Sequence, residues 1–282
     1  MKIGIQNNAY TRRYGWQEGV RLLAEDGWQC IDYQGFVRTE DALFAMGGEA
    51  FDRTIREQRA MLAARGIAVS QTHGPWRYPP HDYTAWQREE RLEKSIRALH
   101  GTALLGCDAM VMHPLMPFGP GENPEPELFL QINIAFFRRL LAEAAQVGVT
   151  VCLENMPMGA LPLARPEEIL RFVQAMDSPF FRVCLDTGHS AVLGIRPGDA
   201  VRQLDRYLQV LHVHDNDGKR DLHWLPYAGC VDWEDFAAAL QEVGFDGTVS
   251  VETEVSEKMP EVLRRPAEQN LARTALYLAG RL

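Results

Sequence analysis

The sequence predicts an α/β fold, a single (β/α)8 barrel spanning residues 1–282. Three observations carry that expectation. Strand-like and helix-like patterns alternate from end to end with no Pro-, Ser- or Gly-rich linker between them. Glycines recur at similar places in the alternation. Several apolar runs also lead into a histidine or a carboxylate: His73, His113, Glu154, Asp186, the His212/His214 pair and Glu252. Strands of a parallel barrel point the same way, so such residues converge at the carboxyl end of the sheet however far apart they lie in sequence.

In chain order the strands are expected near 2–7, 29–35, 67–73, 109–113, 149–154, 181–186, 208–214 and 247–253, the number a closed barrel requires. The first alternates from the start of MKIGIQNN. Helical periods fill the gaps: Leu92, Ile96, Leu99 and Ala103 share one face in one segment, and Phe129, Ile132, Phe136 and Leu140 in the next. Gly27, Gly66, Gly106, Gly148 and Gly244 each follow a helical stretch and precede a strand, where a left-handed C-cap is wanted. The connections 36–50, 114–127 and 215–231 are longer than the fold needs and hold Phe36, Phe118, Trp224 and Tyr227. On a barrel they belong to the catalytic face and are expected to wall a pocket.

Composition excludes several classes. With 282 residues, 46% hydrophobic and 24% charged, the chain can bury a large core. A net charge of -9 repels a phosphate backbone, which argues against nucleic acid as a partner. No run approaches the roughly 20 apolar residues that cross a membrane, and the amino terminus lacks the pattern of a signal peptide. Five cysteines without CxxC spacing read as reduced thiols, so a cytoplasmic protein is expected. GxGxxG, P-loop and GxSxG motifs are missing.

The chemistry is concentrated at strand ends. In VCLEN (151–155) and VCLDTGH (183–189) side-chain alternation puts Cys152 on the face of Glu154 and Cys184 on that of Asp186, with Leu153 and Leu185 turned to the helices. The cysteines read as barrel filling. In LQVLHVHDND (208–217) His212 and His214 share a face, and in VSVETE (249–254) Glu252 points inward. A single acid of this kind can be a helix cap or an ion-pair partner. Three carboxylates and one imidazole on four successive strands instead make a mixed O/N site suited to Mn²⁺, Mg²⁺, Co²⁺ or Zn²⁺. Trp76 and Trp224 could stack on the apolar face of a sugar or pack their own loops.

On these residues the chain resembles the xylose-isomerase-like TIM barrels, a family of sugar and polyol isomerases, epimerases and dehydratases with an apurinic-endonuclease branch. The motifs that carry the likeness are LEN (153–155), DTGH (186–189), His212-x-x-Asp215, Asp221-x-His223 and Glu252, and it covers essentially the whole chain. The resemblance implies a divalent ion held by Glu154, Asp186, His212 and Glu252. It selects His212 over His214 because His212 stands three residues before an acid; strand facing alone leaves the two open. It implies proton transfer by Glu154 and Glu252 through a metal-stabilised enediolate of a small sugar, keto-sugar or polyol. His73, His113, His189, His214, Asp221 and His223, with Trp76 and Trp224, would then contact substrate. Dehydration of a keto-polyol is the alternative within the family, with His189 or His214 as the acid. In the endonuclease branch the equivalents of His73, His113, His189, Asp221 and His223 complete a three-zinc cluster, so a trinuclear phosphodiesterase is the other reading. The expected partner is a small molecule, with no membrane; homo-oligomerisation is left open.

Overall fold

Runs buried on both faces form eight parallel strands among the described residues, 1–118 and 125–280, of the computed structural model. They are β1 (Lys2–Gln6), β2 (Cys30–Tyr33), β3 (Ala68–His73), β4 (Ala109–Met112), β5 (Thr150–Glu154), β6 (Phe181–Asp186), β7 (Leu208–His212) and β8 (Thr248–Val251). The sheet runs β7-β6-β5-β4-β3-β2-β1-β8. Its two ends meet through Val213 and Val251: the Val213 N–H donates to Ser250 O at 2.8 Å and the Glu252 N–H to Val213 O at 3.0 Å. A nearly closed (β/α)8 barrel results. Strand β7 ends at His212 rather than 214 because the residues beyond it leave β6, Val213 to pair with β8 and Asp215 to pair with Trp224.

The helices alternate with the strands: α1 (Asn8–Glu25), α2 (Ala42–Ala45), α3 (Gly48–Ala63), α4 (Ala85–Leu105), α5 (Pro126–Val147), α6 (Pro166–Met176), α7 (Thr187–Val192), α8 (Pro197–Leu204), α9 (Trp233–Glu242) and α10 (Glu261–Ala279). Gly106 and Gly148 cap α4 and α5 in the left-handed conformation, and Gly27, Gly66 and Gly244 also have positive φ. Two layers of core follow from the alternation. Leu153 and Leu185 join the main core under the helices, whereas Cys152, Cys184, Ala109, Val111 and Val210 fill the barrel. None of the described helices is long and apolar enough to cross a membrane.

The buried face of α4 differs from the apolar stripe. Leu92 and Leu99 are inside, but so are Arg91, Ser95 and Thr102, while Ile96 and Ala103 lie at the margin. Each buried polar group has a partner: Ser95 donates to Arg91 O at 2.7 Å, and the Thr102 and Thr72 hydroxyls meet at 2.7 Å. Phe36, expected in a pocket wall, is fully buried between Tyr33, Phe44 and Phe51. Much of the expected loop 36–50 is in fact α2 and the start of α3. Part of the expected loop 114–127 lies outside the described residues.

Candidate functional site

Two asparagine-bearing turns set the positions of the acids at the ends of β5 and β6. Asn155 bridges the strands: its Oδ1 accepts the Asp186 N–H at 2.8 Å, and its Nδ2 donates to Asp186 O at 3.1 Å and Ser190 Oγ at 3.2 Å. Asp186 is also the N-cap of α7, its Oδ1 accepting the His189 N–H at 2.6 Å. Asn216 holds the next turn by donating to Gly188 O at 2.8 Å. A Cβ on Gly188 would fall 1.9 Å from the His214 ring, so only glycine lets DTGH pack over that imidazole.

His212 stands at the centre. Its Nδ1 lies 3.0 Å from Glu154 Oε1 and 2.9 Å from Glu252 Oε2, and its Nε2 lies 3.0 Å from Asp32 Oδ2. One donor atom each from Glu154, Asp186, His212 and Glu252 falls within 4.8 Å of the others. Burial opposes ionisation of Glu154 and of Glu252, yet a charged His212 between them holds both well below the ordinary carboxylate range. Burial also opposes charging His212, but Cys184, Glu252, Glu154 and the Asp32 hydrogen bond raise it well above the usual imidazole value. Cys184 Sγ reaches the same neighbourhood, and burial pushes that thiol up to about 12, so it stays a neutral filler.

The donor set fits a divalent cation. Three carboxylates buried around one imidazole carry more negative charge than a single imidazolium can offset, and buried charge of one sign is costly without compensation. Glu154 Oε2 and Asp32 Oδ1 are buried without a hydrogen-bond partner. His113 Nε2 does come within 3.0 Å of that Glu154 oxygen and His73 Nε2 within 3.5 Å, without hydrogen-bond geometry. Asp32 would fix the His212 tautomer, presenting Nδ1 to the ion, as carboxylates commonly do for metal-ligating histidines.

The remaining expected residues form two flanking groups. His73, His113 and Glu154 make one; His73 Nε2 is 3.2 Å from His113 Nε2, and burial pushes His113 down to about 4, leaving it neutral. The other gathers about Asp221, whose Oδ2 is 3.3 Å from His189 Nε2 and 3.3 Å from His223 Nε2. Burial works against charging His189, but Asp186, Asp221 and Glu154 outweigh it and lift the ring to about 10. His223 occupies φ 48, a costly conformation for a non-glycine residue, pinned by its Nδ1 contact to Glu252 O at 2.9 Å.

Above these groups opens a cavity of about 780 Å³ lined by His73, His113, Glu154, His189, Asp221, His223, Glu252 and Trp76. Two expected substrate contacts lie off it. His214 is fully buried behind Asp186, 3.0 Å from its Oδ2, and stacked at 4.1 Å on His223, which takes the cavity side. Trp224 is tied by its backbone to Asp215, and the residue is 39% exposed. Asp215, three residues after His212, serves the loop: its carboxylate accepts from Gly229 N, Val231 N and Trp233 Nε1 within 3.1 Å. Loop 215–231 thus walls the cavity through Asp221, Leu222 and His223, while Tyr227 packs outward against Trp233 and Tyr277.

Asp32, Gln34 and Arg38 were missed by sequence reasoning. Asp32 sits in CIDY, an apolar run with a buried acid like LEN, and that was the available signal. Gln34 and Arg38 follow on an irregular loop where no period marks a facing.

Comparison with known proteins places this geometry. The family model described as xylose isomerase-like TIM barrel matches residues 20–279. Among curated relatives, an uncharacterised protein of Methanocaldococcus jannaschii is 30% identical over 160 residues, covering 55% of this chain and 54% of its own length. The chain therefore spans about half the length of that relative. The D-psicose 3-epimerase of Ruminiclostridium cellulolyticum is 23% identical over 209 residues, 71% of this chain and 68% of that one. Among solved structures, a D-psicose 3-epimerase from Clostridium cellulolyticum H10 superposes with a TM-score of 0.80 at 18% identity, over 99% of both chains. A 3-keto-D-glucoside 4-epimerase from E. coli does so with a TM-score of 0.76 at 19% identity, over 97% of this chain and 99% of its own. At these identities the structural likeness shows the shared fold. With the family model matched across most of its length, the chain belongs to the xylose isomerase-like TIM barrel family.

Proposed function

We propose that the protein is a divalent-metal-dependent isomerase or epimerase of a small sugar, keto-sugar or polyol. The observation that carries this reading is the pair Glu154 and Glu252, from strands separated by two others, meeting at one imidazole on the cavity floor. An ion held by Glu154, Asp186, His212 and Glu252 would supply positive charge at a substrate carbonyl oxygen. One glutamate takes the proton from the carbon beside that carbonyl, and the electron pair moves onto the oxygen. The other returns a proton, to the opposite face of the same carbon for an epimer or to the neighbouring carbon for an isomer. His113, neutral through burial, and His189, charged, line the same cavity and can hydrogen-bond substrate hydroxyls. The solved epimerases of like fold, named for ketoses and a keto-glucoside, support this class of substrate.

Magnitude requires both acids and a cation. A positioned base contributes about 10²- to 10⁴-fold, roughly 3 to 5 kcal/mol, against the at least ~8 kcal/mol that enzymes supply. The test is solvent exchange. Metal-loaded protein incubated with a panel of ketoses in D₂O is expected to introduce deuterium at the carbon beside the carbonyl, with product mass otherwise unchanged. Glu154→Gln and Glu252→Gln are each expected to abolish turnover while some metal is retained; either variant working at the normal rate contradicts the assignment. A product lighter by one water would mean dehydration, with the same base and His189 as acid.

A second reading rests on the flanking groups. His73/His113/Glu154 and His189/Asp221/His223 are both assembled, as a trinuclear phosphodiesterase would require. The net charge of -9 and the acid-rich cavity oppose a phosphate backbone.

A further inference from the structure

The cavity wall remote from His212 holds polar groups that the reaction above leaves unused. Arg38, on the loop after β2, lies with its guanidinium carbon 4.0 Å from the Trp76 ring centroid and 5.3 Å from that of Tyr78. Its Nη1 is buried without a hydrogen-bond partner, and Arg38 enters none of the ion pairs of the described residues. Burial lowers its pKa, and the acids of its own loop do not offset the effect. Asp41 is otherwise engaged, its Oδ2 accepting the Arg38 backbone N–H at 2.7 Å. The other arginine of the cavity, Arg12, is by contrast paired with Glu254 at 2.9 Å and Glu257 at 3.0 Å. Gln34 Nε2, on the loop of Arg38, and Asn8 Oδ1, just after β1, are also buried and unpartnered, and both residues line the cavity.

Two donors, one of them charged, and one acceptor are thus desolvated with nothing to meet them. Leaving such groups unmet is costly, and a guanidinium clamped on an indole face is already oriented for a planar, two-oxygen acceptor. Trp76 connects this wall to the floor, because its ring also packs 5.0 Å from that of His113, whose Nε2 is 3.0 Å from Glu154. A ligand seated over Glu154 and flanking Trp76 would present its far end to Arg38.

We infer that Arg38 and Gln34 hold a carboxylate of the substrate, Asn8 accepting from a neighbouring hydroxyl, so that the substrate class is a sugar acid rather than a neutral ketose. This rests on the sugar reading of the site and narrows it. A carboxylate fits better than a phosphate ester: one unpaired cation faces the ligand in a cavity otherwise rich in acids, and a phosphate would bring roughly twice the charge.

The test is calorimetric titration of the metal-loaded protein with D-gluconate, with D-glucitol, which replaces the carboxylate by a hydroxymethyl group, and with D-glucitol 6-phosphate. Gluconate is expected to bind roughly tenfold or more tighter than glucitol, the scale of one charge-assisted hydrogen bond. Arg38→Met should bring the ratio to within about twofold, and Gln34→Leu and Arg38→Lys should retain part of it, since a lysine keeps the charge without the planar fork. Wild-type circular dichroism and thermal midpoint identify folded variants. Equal binding of gluconate and glucitol overturns the inference, as does a preference that survives Arg38→Met, or failure of all three probes to bind. Tighter, Arg38-dependent binding of the phosphate ester replaces the carboxylate by a phosphate. If deuterium enters neutral ketoses while gluconate is not preferred, the sugar-acid assignment alone falls. If no ketose or keto-acid exchanges, the proton-transfer reading falls, whatever the binding ratio.

Discussion

His212 makes four contacts that define the site: Glu154 and Glu252 at Nδ1, Asp32 at Nε2, and a ring parallel to His73 at 5.7 Å. The Asp32 contact decides which nitrogen faces the carboxylates. Asp32 is itself placed by Gln71, whose Nε2 lies 3.3 Å from its Oδ2, and by a register shift between Ile31 and Asp32 in the pairing of β2 with β3. Asp32→Asn offers either an amide N–H or a neutral acceptor to Nε2 and so loosens the tautomer. We expect metal affinity to fall about 10- to 100-fold, the usual effect of removing such a partner, with little change in the folded structure; competition with a chromophoric chelator measures it. An unchanged affinity would show that His212 needs no orienting group. His212 was legible from its motif, whereas Asp32 offered only the weaker signal of an acid in the apolar run CIDY, its partner lying 180 positions away.

At the scale of elements, the strands and the loops obey different rules, and the sequence reveals them unequally. An apolar run bounded by a helix cap is a local signal, so all eight strands and the five left-handed glycines could be read before the fold was seen. Alternation within a strand likewise placed Glu154 with Cys152 and Asp186 with Cys184. The face of α4 could not be read this way, because Arg91 is buried for a purpose its neighbours in sequence do not show. Its guanidinium donates to Pro75 O at 2.8 Å, His113 O at 2.8 Å and Asp82 Oδ2 at 2.6 Å, tying together the loops that follow β3 and β4. Those loops carry Trp76 and His113, so Arg91 positions part of the cavity wall. Breaking a buried ion pair costs about 3 to 5 kcal/mol, and Asp82 keeps Arg77 at 2.9 Å. Arg91→Met should therefore lower unfolding stability by about 3 kcal/mol, the low end of that range, read from the urea midpoint at unchanged slope. A loss below about 1 kcal/mol would place it with exposed pairs. Trp224 and Phe36 show the reverse limit: loop length and aromatic content suggested a pocket, yet Phe36 is needed to fill the core beneath α3, and Trp224 faces outward.

Across the whole molecule, the barrel brings residues from β1 through β8 to one end and divides them by height. The floor holds Glu154, Asp186, His212 and Glu252; the flanks hold His73 with His113 and Asp221 with His189 and His223; the upper wall holds Trp76 and Arg38. The floor, the flanks and Trp76 were legible in the sequence, from strand ends and from the family motifs, whereas Arg38 was not, because it lies on a loop with neither a facing nor a motif. On the proposed reading the floor carries proton transfer at a carbonyl, and the flanks are what a multi-metal phosphodiesterase would also need. Anomalous diffraction from crystals grown with Mn²⁺ or Zn²⁺ separates the two. We predict one ion, bound by Glu154, Asp186, His212 and Glu252, with His73, His113, Asp221 and His223 left free for substrate. Three ions, reaching His73 and Asp221 as well, would contradict the isomerase reading and favour phosphodiester hydrolysis.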